Sequence, residues 1–144
     1  MIKNRRSIHR HQLCQVGLKC FITDGKGRLL AVRSRGSKFW DLPGGRVEHQ
    51  EFPKPLTHAL RREMREEIGK HARVKIQQPF VVYKHRAPGK AGILLVGYHC
   101  QLQRGKIRLG GEHEAYAWVS RGNLKKFRFH IWHRQAVASY FHQS

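Results

Sequence analysis

Acidic residues are scarce in this chain: 9 Asp and Glu stand against 29 Lys and Arg, a formal net charge of +20. Charge balance by internal pairing is therefore excluded. Such a field attracts polyanions and speeds their encounter, so polyphosphates, nucleotides, RNA, DNA and anionic membrane surfaces are the partner classes to weigh against a plain solubility adaptation. Cysteine is scarce too. Cys14, Cys20 and Cys100 are odd in number and form no C-x-x-C pair. That argues against a disulfide framework and for buried, reduced thiols. Long apolar runs are absent: none approaches the ~18 residues of a membrane span. The basic, polar start has no apolar segment of the signal-peptide kind. We expect a soluble, cytoplasmic chain with no membrane partner. What remains is ordinary for a folded protein: 40% of the residues are hydrophobic, and 144 residues suit one domain with a core of its own.

Because acids are few, their positions carry information. Five of the nine (Glu48, Glu51, Glu63, Glu66 and Glu67) fall between residues 48 and 67, and Glu112 and Glu114 form a small satellite. Acids that only balanced charge would be scattered among the Lys and Arg. The segment reads as a loop followed by a helix. Pro43, Gly44 and Gly45 break regular structure, and Pro55 suits a first helical position. Leu56, Leu60, Met64 and Ile68 then recur as the apolar stripe of an amphipathic helix, and Gly69 is placed to end it. Glu63, Glu66 and Glu67 share one face at i, i+3, i+4 spacing, with Arg61, Arg62 and Arg65 mostly on the other flank. Three carboxylates on one face repel each other, and a hard divalent cation removes that repulsion. The alternative is a solvated helix with Glu–Arg pairs such as Arg62 with Glu66.

These residues resemble the Nudix box, G-x5-E-x7-R-E-U-x-E-E-x-G-U, where U is a bulky aliphatic. Gly45 and Glu51 supply G-x5-E, and Arg62-Glu63-Met64-Arg65-Glu66-Glu67-Ile68-Gly69 supplies R-E-U-x-E-E-x-G. Phe39-Trp40-Asp41-Leu42-Pro43-Gly44-Gly45 is similar to the family's W-x-L-P-G-G lead-in. The chain departs from the pattern twice. Ten residues separate Glu51 from Arg62, three more than the family spacing, with the excess at Phe52-Pro53-Lys54-Pro55, and Lys70 takes the last aliphatic place.

The resemblance implies an α/β fold, a Nudix-type α/β/α sandwich with a mixed β-sheet between helices. It implies a metal-dependent hydrolase, using Mg²⁺ or Mn²⁺, that cleaves a phosphoanhydride bond in a nucleoside-diphosphate-linked substrate such as a dinucleoside polyphosphate, a (d)NTP or a nucleotide sugar. Glu66 and Glu67 would be the main metal ligands, Glu63 a third ligand or the base, and the Gly45 carbonyl a backbone ligand. Arg62 would orient the carboxylates and Glu51 support them. Glu112-His113-x-x-Tyr116-x-Trp118 resembles a stretch found in many members, which makes Glu112 a further metal ligand or base; the alternative is a loop acid paired with an Arg. Tyr83, Trp118 and Arg33 are the candidate substrate-binding residues, with core packing the competing reading for the two aromatics.

The remaining pattern fits the same fold. Strands are expected over 16–23 and 29–33, joined by a turn at 24–27, and over 74–83, 93–102 and 114–119. Ser120 would cap a short helix reaching Phe127, and a terminal helix would cover 131–141. Residues 1–12 read as a basic N-terminal arm and 13–144 as a single domain. The 11 histidines, among them His9, His11, His130 and His133, read mostly as surface groups. Phe127, Phe129, Trp132, Tyr140 and Phe141 read as core around the last helix, with base stacking the alternative. Two other functions stay open. The charge and the arm favour an enzyme acting on RNA 5′ ends, and a non-catalytic nucleotide- or nucleic-acid-binding module could use the same scaffold.

Overall fold

The structure is a computed structural model that describes residues 11–143; the greater part of the expected basic arm lies outside the described residues. Six strands form one sheet: β1 (Gln15–Thr23), β2 (Leu29–Ser34), β3 (Gly44–Arg46), β4 (Arg73–His85), β5 (Ile93–Arg104) and β6 (His113–Val119). The strand order is β4-β5-β1-β2-β6, with β3 paired to β1 off that path. Among the described strands only β1 and β5 pair in parallel; the other pairs are antiparallel, so the sheet is mixed as expected. Helix α1 (Leu56–Ile68) and helix α2 (Ile131–Gln143) cover its two faces.

Alternation along β1 builds both halves of the core, because successive side chains of a strand point to opposite faces. Leu18, Cys20 and Ile22 pack with Leu60, Met64 and Ile68 under α1. Phe21 points the other way, to Val137, Tyr140 and Phe141 of α2. The apolar stripe of α1 is thus buried as its spacing predicts. Gly69 ends the helix at φ 92°, a conformation that favours glycine, whereas Pro55 stands at the N-cap and Leu56 opens the helix. Phe129, Tyr140 and Phe141 are core, and Phe127 packs against them.

The hairpin opens early. β1 and β2 pair only at Thr23↔Leu29 and then separate, and the chain returning from β2 inserts β3 beside β1 at Gly17, Leu18 and Lys19. The sequence reading missed β3, because its glycines read as breakers. They are there for close approach: a Cβ on Gly44, at φ 143°, would lie 2.0 Å from the Leu18 carbonyl oxygen. Three further expectations change. Ser120 does not cap a helix; Asn123 N–H donates to its Oγ (3.2 Å) and Ser120 N–H donates to Asn123 Oδ1 (2.7 Å), which closes a turn before a short 3-10 segment at Leu124–Lys126. Cys20 and Cys100 are buried and free, but Cys14 is exposed. His113 and His133 are buried rather than on the surface, the first in β6 and the second in α2.

Candidate active site

The carboxylates of α1 meet the backbone of β3. The Gly44 N–H donates to Glu67 Oε2 at 2.8 Å. Glu63 lies so close to Gly45 that a Cβ there would sit 2.2 Å from Glu63 Oε1. The glycines that let β3 approach β1 also bring the Gly45 backbone to the acid face of the helix. From the other side, the loop before β6 docks on the end of α1 through Gly110 N–H donating to the Glu67 carbonyl at 3.0 Å. Glu63, Glu66, Glu67 and Glu112 consequently line one small cavity with Gly110, Gly111 and His113.

Arg62 gathers this cluster. Its Nε and Nη2 donate to Glu51 Oε2 (2.9 Å) and Oε1 (2.7 Å), a bidentate pair. Its Nη1 reaches Glu63 Oε1 (3.0 Å) and Glu66 Oε2 (3.2 Å), and Nη2 also donates to the Arg46 carbonyl (3.2 Å). Arg62 is therefore on the acid side of the helix, contrary to the flank assigned from spacing; Arg61 and Arg65 do line the opposite groove. The three added residues do not displace Glu51. They follow a 3-10 turn, His49–Glu51, in which Glu48 N–H donates to Glu51 Oε1 at 3.0 Å, so the excess chain bulges outward and the carboxylate still meets Arg62.

The electrostatics separate the carboxylates. The Arg62 hydrogen bonds hold Glu51 at a pKa of about 2. Burial raises Glu67 to about 8, against the opposing pull of the Gly44 N–H and the Lys19 ammonium. Burial also raises Glu63, although Arg62 partly offsets it. A buried carboxylate held this high is short of positive charge. The donors are all oxygen, as hard divalent cations prefer. Among the described residues no three His, Cys, Asp or Glu side chains already close around one point. The donor chemistry and the raised Glu67 nevertheless fit a cation that would draw Glu63, Glu66 and Glu67 together, with Glu112 lining the same cavity.

A second cavity, about 270 Å³, is bordered by Gly45, Arg46, Asp41, Trp40, His130 and Trp132. His85, Trp132 and His130 stack in series, with ring centroids 4.0 and 3.8 Å apart. At its floor Lys19 Nζ donates to Asp41 Oδ1 (3.0 Å) and to the Leu42 carbonyl (3.2 Å). His133 Nε2 lies 3.1 Å from Asp41 Oδ1, and His133 Nδ1 lies 2.8 Å from the Tyr83 hydroxyl. A neutral imidazole has one N–H, which belongs on the carboxylate side, so Tyr83 donates to Nδ1. Burial lowers His133 to about 4, despite the pull of Asp41. Burial alone would raise Asp41, but Lys19 and His133 turn the balance and hold it below the usual range.

Of the candidate substrate residues, Tyr83 stands behind His133. Arg33 pairs with Glu114 at 2.6 Å and lies over the Trp40 ring at 5.6 Å, one side chain away from the cavity. Trp118 packs on the α1-side core with Arg28 over its ring at 5.8 Å, away from the cavity. It is Glu114, not Glu112, that takes an Arg partner. The sequence reading missed Lys19, Asp41 and His133. A lysine inside an apolar strand, and one of nine acids standing just before the Pro-Gly-Gly turn, were the available signals.

A mixed sheet between two helices, with a glycine strand pressed against a carboxylate-bearing helix, defines an α/β sandwich built around an acidic helix face. The NUDIX domain family matches residues 15–140, and the chain belongs to that family. A MutT-like protein of Streptomyces ambofaciens is 34% identical over 94 residues, 65% of this chain and 56% of the relative, so the chain spans little more than half of that protein's length. The fold is shared with the MutT protein of Methanosarcina mazei (TM-score 0.75, 20% identity, 92% of this chain and 96% of that one). It is shared as well with an ADP-ribose pyrophosphatase of Streptococcus suis (TM-score 0.70, 17% identity, 91% and 92%).

Proposed function

We propose that this chain is a Mg²⁺- or Mn²⁺-dependent hydrolase that cleaves a phosphoanhydride bond in a nucleoside-diphosphate-linked small molecule. The observation that carries the reading is the clamp: Arg62 ties Glu51, Glu63 and Glu66 together while Glu67 is buried against β3 with its pKa near 8. A bare helix face has no use for so confined a set of carboxylates. Glu63, Glu66, Glu67, Glu112 and the Gly45 carbonyl would hold the cation, which when bound supplies charge neutralisation at the phosphoryl oxygens and a lowered water pKa. Arg62 keeps the carboxylates from splaying. Glu51, ionised throughout the physiological range, fixes Arg62. Glu63, raised by burial although Arg62 holds its Oε1, is either the third ligand or the group that accepts a proton from an attacking water.

The second cavity, which Gly45 borders, supports the nucleoside half of the reading. Its stacked rings offer a base-sized apolar wall, and Asp41, fixed by Lys19 and His133, presents a carboxylate that accepts N–H donors. The kinship with a fold used by an ADP-ribose pyrophosphatase agrees with a substrate of this class.

The test is product release from (d)NTPs, diadenosine polyphosphates, ADP-ribose and 5′-triphosphate RNA with Mg²⁺, Mn²⁺ or EDTA. Cleavage of a free nucleotide with either metal, none with EDTA, and a loss on the order of 100-fold or more in Glu67→Gln are expected. Full activity in that variant would remove the metal assignment. Turnover of the RNA alone would move the function to RNA 5′ ends. Nucleotide binding with no turnover would make the chain a binding module.

A further inference from the structure

The acids of α1 occupy one flank; the opposite flank faces a groove lined by Arg61, Arg65, Lys70 and Arg73 with Met64, Gly69, Ala72 and Val74, and no acid borders it. All four cations are exposed, and none takes part in a side-chain hydrogen bond or ion pair among the described residues. The array continues past the groove. Arg73 at the start of β4 stands directly across from Arg104 at the end of β5. Arg108 reaches the same end of α1, where its N–H donates to the Ile68 carbonyl and its backbone borders Gly69. Like charges set opposite each other on paired strands are unfavourable, and no acid among the described residues pairs with either. Helix-dipole compensation accounts for Arg65 and Lys70 near the C-terminal end of α1, but not for the two facing strand arginines.

We infer that this basic end of the molecule, behind the acidic face of α1, is a contact surface for the phosphodiester backbone of a nucleic acid. The array runs across a turn of α1 and two strands, wider than one phosphate needs, and suits a row of phosphates. No aromatic side chain borders the groove, so it offers neither base stacking nor base reading, and contacts here would be sequence-independent. A membrane fits less well. Among the described residues the exposed large apolar side chains are Leu13, Phe52, Val82, Leu94, Tyr116 and Ile131, none of them at this groove, and basic membrane-binding faces insert apolar side chains beside their cations. The surface does not depend on the proposed hydrolysis, since its readout is binding.

The test is fluorescence anisotropy of a labelled single-stranded RNA and its DNA counterpart with the full chain over a NaCl series. Three proteins are compared: wild type, Arg61→Glu/Arg65→Glu/Arg73→Glu, and a charge-matched control, Lys26→Glu/Lys84→Glu/Lys90→Glu. A glutamine version of the groove triple, with circular dichroism on each, guards against misfolding. The groove triple should bind at least about 30-fold more weakly near 0.1 M salt, and its log–log salt slope should shrink by roughly 2, as expected for three lost phosphate contacts at about 0.7 each. The control should lose only a few-fold. Equal losses in both triples would assign binding to the general field, and no binding by wild type would end the proposal. Preference for phosphatidylserine vesicles over both oligonucleotides would overturn it in favour of a membrane. Small-nucleotide hydrolysis unchanged in the groove triple keeps this outcome separate from that of the proposed function.

Discussion

At the scale of single residues, Gly44 and Gly45 are adjacent and do different work. A Cβ on Gly44 meets backbone, the Leu18 carbonyl oxygen at 2.0 Å, at a φ of 143° that side chains rarely adopt. A Cβ on Gly45 meets the end of a flexible side chain, Glu63 Oε1 at 2.2 Å, which can swing away. Gly44→Ala should therefore unfold or badly destabilise the sheet. Gly45→Ala should keep its melting temperature close to wild type and displace the Glu63 carboxylate instead. A misplacement of about 1 Å at a reacting group costs up to roughly 100-fold, so kcat should fall by one to two orders of magnitude in Gly45→Ala while KM for the nucleotide changes little. Thermal unfolding beside steady-state kinetics checks both halves. A Gly45→Ala protein with wild-type kcat would mean that Glu63 need not sit against β3.

At the scale of elements, α2, β4 and the segment before β3 are joined by Tyr83, His133 and Asp41. His133 falls from an ordinary 6.5 to about 4 in the fold, because burial disfavours its charged form. Between those two values the unfolded chain binds the proton and the folded chain does not, so unfolding becomes easier as pH drops. Stability from this group is complete above about 6.5 and is lost as pH falls toward 4, by up to a few kcal/mol at roughly 1.4 kcal/mol per pKa unit. His133→Gln retains polar contacts but cannot titrate. Its urea midpoint should fall less between pH 7 and pH 5 than that of the wild type, and parallel declines would place the acid sensitivity elsewhere. The same junction marks where sequence reading ran out. The stripe of α1 was legible because it is a local period of one element. The i, i+3, i+4 carboxylates were legible for the same reason, and the resemblance added Glu51 and Arg62. Asp41, His133 and Tyr83 come from three elements with no spacing in common, so only the packing of α2 on the sheet brings them together. Strand β3 was hidden because its glycines serve a close approach that no local period records.

At the scale of the molecule, the charge balance sets how stability responds to salt. Nine carboxylates cannot offset 29 Lys and Arg. Several of the nine are committed to local pairs: Asp24 with Arg28, Asp41 with Lys19, Glu114 with Arg33, and Glu51, Glu63 and Glu66 with Arg62. Most surface cations therefore see mainly other cations, and compaction brings them closer. Screening shortens the range of that repulsion from about 20 Å near 20 mM salt to a few Å near 0.5 M. It weakens the partly buried pairs much less, since Lys19 and Glu51 lie where solvent ions have little access. Relief of repulsion should dominate. Raising NaCl from about 20 mM to about 0.5 M should raise the melting temperature by roughly 3–5 °C, equivalent to about 1 kcal/mol for a domain of this size. Chloride is the salt to use, because sulfate and phosphate stabilise by exclusion from the surface and would also occupy cationic grooves. A melting temperature that fell with NaCl would mean that the few ion pairs outweigh the whole positive field. The Arg62–Glu51 clamp would then be the first place to look, through the salt response of Glu51→Gln.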